Sequence, residues 1–344
     1  MPRRPTIDDV ARDAGVSKGA VSFALNNRPG VAPATRERIL RSAADLGWTP
    51  SHRARALAAD RALAVGLVIA RAPETLGADP FFPAFIAGIE SVLAPLGQSL
   101  LLQVVPDRSR EVESYRRLAA DGRVDGVFLT DLRVDDPRPA LLAGLRLPAV
   151  LIAPSCADHE QATCVCVDDR PGIRSAVEHL VALGHRRIAH VGGPAGFVHS
   201  GSRREAWAEA LRAAGLPAGP VVPADFSAGG GAAATSALLD LADPPTAIVY
   251  ANDLMAIAGT AVAFGRGLEV PRDLSVTGFD DTEVAAHLRP ALTTVRTDAF
   301  SWGRAAADRL TALVGGAPET DPPALAPPDL VVRDSTAAPP DSLP

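Results

Sequence analysis

From Ala62 to Asp281, apolar runs of strand character alternate with segments of helical spacing, and the alternation runs through twice. The first pass reads ALAVGLVIA (strand), FFPAFIAGIESVLAPLG (helix), QSLLLQVV (strand), SYRRLAADG (helix), VDGVFLT (strand), a helix between Pro139 and Leu145, and PAVLIA (strand). After the strand CVCVDD comes GIRSAVEHLVALG (helix), RRIAHVGG (strand), SRREAWAEALRAAG (helix), TAIVYAND (strand, with a helix behind it) and LSVTGFDD (strand). Strands that alternate with helices build parallel sheets covered on both faces. The expected body is therefore two doubly wound α/β lobes, with ligands at the strand C-termini between them.

Residues 1–60 do not share this rhythm. They carry ten Lys/Arg against six Asp/Glu, a net +4 that leaves −10 for the rest of a chain whose total is −6. A small basic head on an acidic body suits a phosphate-binding module joined to a domain that stays off nucleic acid. Within the head, Thr6 stands three residues before Asp9, a capping-box spacing, and Ile7, Val10, Ala11 and Ala14 follow at helical intervals. Gly15-Val16 supplies a turn, and Ser17 caps a second helix with Val21, Ala24 and Leu25 inward. Lys18, the single lysine, then faces outward with Gly19, Ser22, Phe23 and Asn26. A third helix is expected from Pro33 to Leu46, closing a small core with Ile39, Leu40, Ala43 and Leu46. Two short helices joined by a glycine turn form the helix-turn-helix pattern, whose second helix enters the major groove.

Other readings fit less well. GGPAG follows a strand but is not G-x-G-x-x-G, and no nucleophile, base and orienting group stand at recognisable spacing, so neither a nicotinamide enzyme nor another catalyst is expected. His199 beside Ser200 and Ser202 reads as a loop. Cys156, Cys164 and Cys166 lack zinc-site spacing, and the expected state is three thiols with no metal and no cofactor. No apolar run is long enough to span a membrane, and Asp8, Asp9, Arg12 and Asp13 interrupt the N-terminus, which suits a cytoplasmic protein rather than a secreted one.

TIDDVARDAGVSKGAVSFALN, VAPATRERIL, LGWTPS and ARAL together strongly resemble the DNA-binding head and hinge of the LacI/GalR (lactose-repressor) family of bacterial transcriptional regulators. The resemblance implies a small all-α helix-turn-helix head over residues 1–50 and a hinge helix over 51–61. It implies a homodimer on palindromic double-stranded operator DNA. The contact residues it implies are Thr6, Ser17, Lys18, Gly19, Ala20, Ser22, Phe23, Asn26 and Arg36 in the head, and Ala54, Arg55 and Leu57 in the hinge. Leu57 is the implied apolar wedge in a minor-groove base step. Two residues depart from the family pattern: Ala20 stands where Thr is usual, and Phe23 where Arg is common. The Phe23 ring either touches a thymine methyl or packs on neighbouring head residues.

The body resembles the family's effector domain, itself similar to periplasmic sugar-binding proteins, through DPFFPAFIAGIE, HLVALGHRRIAHVGG, RREAW, YANDLMA, SVTGFDDTE, RPALTTVRTD and LVVRDST. The implied lobes are 62–165 with 297–318 and 166–296 with 319–336, followed by a disordered tail at 337–344. Carried over position by position, the resemblance implies effector contacts at Phe82, Arg203, Phe226, Asn252 and Asp280, with Phe226 an aromatic platform. A carboxylate, an amide, a guanidinium fork and a ring suit a polyol. Each has a plain alternative: Asn252 and Asp253 as helix caps, Asp280 as a turn residue, Arg203 as a surface ion pair. Ala206 replaces a common Gly, and ARAPETLGAD is an insertion before Pro80. The expected function is a repressor of a carbohydrate-utilisation operon controlled by a sugar-like effector; the alternative is a nucleobase or phosphorylated metabolite as corepressor.

Overall fold

The computed structural model describes residues 5–25, 29–49, 56, 61–71, 76–77, 79–156, 162–317 and 325–340. The chain divides into two compact units, the first essentially the N-terminal head and the second the α/β body. Among the described residues no helix is long and apolar enough to cross a membrane.

In the head, α1 (Ile7–Asp13), α2 (Lys18–Leu25) and α3 (Pro33–Asp45) enclose Val10, Ala11, Ala14, Val21, Ala24, Ile39 and Ala43. The Asp9 carboxylate accepts from both the Thr6 N–H (2.9 Å) and the Thr6 hydroxyl (2.7 Å), which fixes the start of α1. Gly15 takes φ +64, the left-handed turn that glycine enters without a Cβ penalty, and Ser17 Oγ accepts from the Ala20 N–H to cap α2. Leu40, an expected core residue, is instead 47% exposed. One turn of helix carries Ile39 and Ala43 inward and turns Leu40 out.

The body has the two expected sheets. β1 (Ala64–Ala70), β2 (Ser99–Val105), β3 (Gly126–Leu129), β4 (Ala149–Ala153) and β5 (Cys164–Cys166) form a parallel sheet in the order β2-β1-β3-β4-β5. Its helices are α4 (Phe81–Leu93), α5 (Arg108–Ala120) and α6 (Arg138–Gly144). The second lobe begins with α7 (Arg170–Ala182), β6 (Ile188–Gly192), α8 (Val198–Ala213), β7 (Val221–Pro223) and α9 (Ala228–Leu239). It continues with β8 (Ala247–Tyr250), α10 (Asp253–Gly265), β9 (Ser275–Asp280) and β10 (Thr293–Arg296). The next helix, α11 (Ala299–Gly315), returns to the first lobe, and β11 (Asp329–Val331) pairs antiparallel with β10 at the edge of the second sheet. That sheet runs β11-β10-β9-β8-β6-β7, so its five parallel strands repeat the first sheet's winding.

Several elements have no clear signature in the sequence. α9 begins AGGGAAA, a poor helix by propensity, yet Ser227 caps it and Gly231 lies where a Cβ would collide with Met255 of α10. α11 is placed by packing: Ala299, Trp302, Ala305, Ala306 and Leu310 join the first lobe's core. The α4–α11 crossing is so close that a Cβ on Gly88 would overlap the Phe300 carbonyl oxygen, and one on Gly303 that of Phe85. Gly88→Ala is therefore expected to cost at least the ~1–3 kcal/mol typical of overpacking, because the obstacle is backbone, and to lower the urea midpoint.

Residues 337–340 depart from the expected tail. The Ala337 N–H donates to Ser275 Oγ (3.1 Å) and its carbonyl oxygen lies 2.9 Å from His185 Nε2, so this part docks on the second lobe. Residues 341–344, like the expected lobe crossing at 318, lie outside the described residues.

Candidate functional site

A cleft opens where the strand C-termini of the two lobes face each other. The first lobe contributes Arg71 after β1, Asp79 and Phe81 at the start of α4, Thr130 and Asp131 after β3, and Trp302 of α11. The second contributes Asp169, His199, Arg203, Phe226, Asn252 and Asp280. The lobes also touch directly: the Val198 N–H donates to the Leu132 carbonyl (2.8 Å) and the Val134 N–H to that of Gly196 (3.2 Å).

Arg203 lies four residues before the buried Trp207, which puts both on the inner face of α8. Its Nε and Nη2 both donate to Asp169 Oδ2 at 2.7 Å, its Nη1 donates to the Ala251 carbonyl (2.6 Å), and the guanidinium lies 3.8 Å from the Phe279 ring centroid. The surface ion-pair alternative is excluded by this burial. Asn252 does cap a helix, accepting from the Met255 N–H (2.9 Å), while its Nδ2 donates to the Phe226 carbonyl (3.0 Å). Nδ2 has a second hydrogen to give, and Asn252 lines the cleft. Asp253 instead accepts from Thr294 Oγ1 and from the backbone and hydroxyl of Thr282; burial pushes its pKa up to about 6.

Three cleft residues hold backbone conformations that side chains disfavour: Asp131 (φ +50), Phe226 (φ +66) and Asp280 (φ +114). Each is held by a neighbour. Arg138 Nη2 donates to the Asp131 carbonyl (2.8 Å), Asn252 holds that of Phe226, and the adjacent Asp281 is gripped by Arg296 (2.7 Å) and Arg333 (2.6 Å). Strain that surrounding contacts maintain at a cleft is a mark of a functional site.

The electrostatics are one-sided. Four aspartates and two arginines line the cleft, and both arginines are already paired. Arg71 gives a two-pronged bond to Asp131 (2.7 Å each) and one to Asp79 (2.6 Å). Burial raises the pKa of Asp79, and the Arg71 charge offsets this only in part. At Asp131 the burial penalty is outweighed by the Arg71 fork, which holds that carboxyl below its usual range. Asp280 is different: no described residue makes a hydrogen bond or ion pair with its carboxylate, and burial, only partly offset by Arg203, pushes its pKa well above the usual range. Asp169 Oδ1 is likewise buried without a partner among the described residues, and burial raises that carboxyl too. His199 stacks between Phe197 (5.4 Å) and Phe226 (5.6 Å), and burial, aided by the Arg203 charge, brings its pKa down to about 3, so the imidazole is neutral.

Arg203, Phe226, Asn252 and Asp280 thus line one cleft, and Phe82 does not. Phe82 is 1% exposed in the first lobe's core, because the helical repeat sends Phe82, Phe85 and Ile89 inward and leaves Phe81 at the cleft. Phe226 lines the cleft without being an open platform. It is 5% exposed, stacked on His199, with the Arg71 guanidinium 5.3 Å from its centroid. Nothing in the sequence singles out Arg71, Asp79, Asp131, Asp169, His199 or Trp302 for this cleft.

In the head, Gly19 and Phe23 are exposed on α2, Ala20 and Ser22 are half-buried there, and Arg36 is half-buried on α3. Phe23 is 42% exposed, with its ring edge beside Gly30, so one part of the ring packs and another faces out. Lys18 is exposed and paired with Asp8 (2.6 Å), and Thr6 and Ser17 serve as caps. Asn26, Ala54, Arg55 and Leu57 lie outside the described residues.

Residues 6–51 match the family described as "Bacterial regulatory proteins, lacI family", and residues 177–336 match "Periplasmic binding protein-like domain". The chain is 37% identical over 319 residues to the HTH-type transcriptional regulator CelR of Thermobifida fusca, covering 90% of this chain and 93% of that one. Among solved structures, a complex of the regulator CelR with cellobiose aligns with a TM-score of 0.73 at 35% identity, covering 96% of this chain and all (100%) of that one. The lac repressor dimer bound to operator and the anti-inducer ONPF aligns with a TM-score of 0.82 at 31% identity, covering 98% and 100%. With a matching head, a matching body and relatives that span both, the chain belongs to the LacI family of DNA-binding transcriptional regulators.

Proposed function

We propose that the protein is a homodimeric repressor of a carbohydrate-utilisation operon, released from or locked onto a palindromic operator by a neutral, hydroxyl-rich effector bound between its lobes. The lobe boundaries proposed are 62–165 with 297–318 and 166–296 with 319–336. The observation that carries the effector class is the imbalance of the cleft: Asp169 Oδ1 is buried without a donor and the half-buried Asp280 carboxylate accepts from no residue, both among the described residues, while both arginines are committed to aspartates. A saccharide brings hydroxyl donors to such acceptors. A phosphorylated ligand would add negative charge to four carboxylates and find no unpaired arginine among the described cleft residues. The cellobiose bound by the CelR relative supports the same class.

Effector contacts are assigned to Arg203, Phe226, Asn252 and Asp280, and DNA contacts to the outward face of α2, with Leu57 as the hinge wedge. A thermal-shift panel tests the effector class, because a ligand that binds only the folded state raises its melting temperature. Cellobiose, maltose and other neutral saccharides are expected to include at least one that raises it, while glucose 6-phosphate and free nucleobases leave it unchanged. A shift from only the phosphorylated sugar or a nucleobase would overturn the assignment. Binding to a palindromic duplex, measured with and without the stabilising sugar, then gives the direction of control.

A further inference from the structure

We propose that Cys156 and Cys164 are a peroxide-modified pair, whose disulfide clamps the passage between the lobes beside the cleft. Their sulfurs lie 2.7 Å apart, about 0.7 Å from the length of a disulfide bond. Both are free thiols, Cys156 partly accessible and Cys164 buried. The pair sits at a sensitive place. The segment leaving β4 passes Pro154, a cleft residue, before Cys156, and β5 runs from Cys164 towards Val167 and Asp169, also cleft residues and the latter the partner of Arg203. The Cys164 carbonyl also accepts from Arg309 of α11, the helix that returns from the second lobe's last parallel strand to the first lobe. A bond here ties the end of β4 to the crossing strand.

The chemistry needs a hydroperoxide as oxidant. With hydrogen peroxide, the Cys156 sulfur attacks the O–O bond: an S–O bond forms, the O–O bond breaks, and the departing hydroxide takes the thiol proton as water, leaving a sulfenic acid. The Cys164 sulfur then attacks the Cys156 sulfur; the S–S bond forms, the S–O bond breaks, and hydroxide leaves with the Cys164 proton as a second water. Two thiols are oxidised by two electrons and one peroxide is reduced. Burial raises the pKa of both thiols, so little thiolate is present at rest and the pair stays reduced until peroxide is abundant.

Cys166 is the competing thiol: it too lies close enough to Cys156 to help raise that thiol's pKa, so a bridge to it is the outcome the test must separate. It is exposed and its Sγ donates to the Pro154 carbonyl (3.4 Å), on the same strand as Cys164 but two residues further on. The full-length reduced protein is exposed to hydrogen peroxide, alkylated with N-ethylmaleimide under denaturing conditions, digested and mapped by mass spectrometry. The expected product links the Cys156 and Cys164 peptides within one chain and leaves Cys166 alkylated. It is reversed by dithiothreitol, persists in Cys166→Ser, and is absent in Cys164→Ser. Oxidation is also expected to raise the melting temperature of wild type and Cys166→Ser, but not of Cys164→Ser. A bridge through Cys166, a link between chains, or three alkylated thiols after peroxide would overturn the site; an intact bridge with no melting shift would overturn the clamp.

Discussion

Asp280→Asn is expected to abolish the effector response, leave operator binding intact and raise the melting temperature of the unliganded protein. The three effects share one cause. The wild-type carboxylate ends β9 with φ +114 and no hydrogen-bond donor among the described residues, so ionising it in the folded protein is unfavourable. Asparagine keeps the shape, tolerates positive φ, and carries no charge to desolvate. The gain is modest, under about 1 kcal/mol, because Asp280 is half-buried and falls short of the full cost of an enclosed unsatisfied group. Its pH dependence has a definite sign. A carboxyl whose folded pKa is raised binds its proton more tightly in the folded chain, so wild type loses stability as pH rises from its unfolded pKa through its folded one. Asp280→Asn removes that loss, and the two proteins should converge in acid. Effector affinity runs the other way: ligand hydroxyls donate to the ionised form, so wild-type affinity rises over the same window and the variant's does not. Melting curves with and without the stabilising sugar, between about pH 5 and 8, read both slopes. A variant that still shifts with sugar as wild type does would remove Asp280 from the site.

The difference between Asp280 and Arg71 shows what a sequence can disclose. Asp280, Asn252 and Arg203 follow strands or sit in helices with strong local patterns, so a family resemblance can be carried onto them one position at a time. Arg71 follows β1 at the start of the ARAPETLGAD insertion, where nothing in the local pattern distinguishes it from a solvated loop arginine. Only the fold brings it to Asp79, eight residues on, and Asp131, sixty residues on. Phe82 is misplaced for a smaller reason: adjacent phenylalanines differ by about 100° around a helix, and a boundary uncertain by one residue exchanges core for cleft. The left-handed backbone at Asp131, Phe226 and Asp280 has no signature at all, since the glycine that would announce it is absent and tertiary hydrogen bonds hold it instead. The parallel lobes are legible because hydrophobic periodicity is repeated many times over; α9 is not, because its glycines serve a close helix contact at the expense of local propensity.

Glu111→Ala is expected to be strongly destabilising, by about 3–5 kcal/mol, because it strands buried charge. Glu111 is 1% exposed on α5; its Oε1 accepts from Arg138 Nη1 (2.5 Å) and its Oε2 from Arg133 Nη2 (2.8 Å). Asp136 takes the remaining face of Arg138, at 2.9 Å to Nε and 2.6 Å to Nη2, so two arginines are balanced by two carboxylates, with Arg133 Nε left unpartnered among the described residues. Without Glu111, the buried Arg133 guanidinium loses its carboxylate and Arg138 keeps only Asp136. The damage should not stay local. Arg138 also holds the Asp131 carbonyl, and Leu132 and Val134 make the backbone bonds to the second lobe. Weakening the network thus loosens both the strained aspartate that grips Arg71 and the contact that keeps the lobes together. Urea unfolding should show a lower midpoint, and the sugar-induced melting shift should shrink even at temperatures where the variant is folded. Glu111→Gln, which retains one acceptor without the charge, should fall between. If Glu111→Ala lost less than about 1 kcal/mol, the cluster would be behaving as a screened surface network, and the 131–136 loop would need another support.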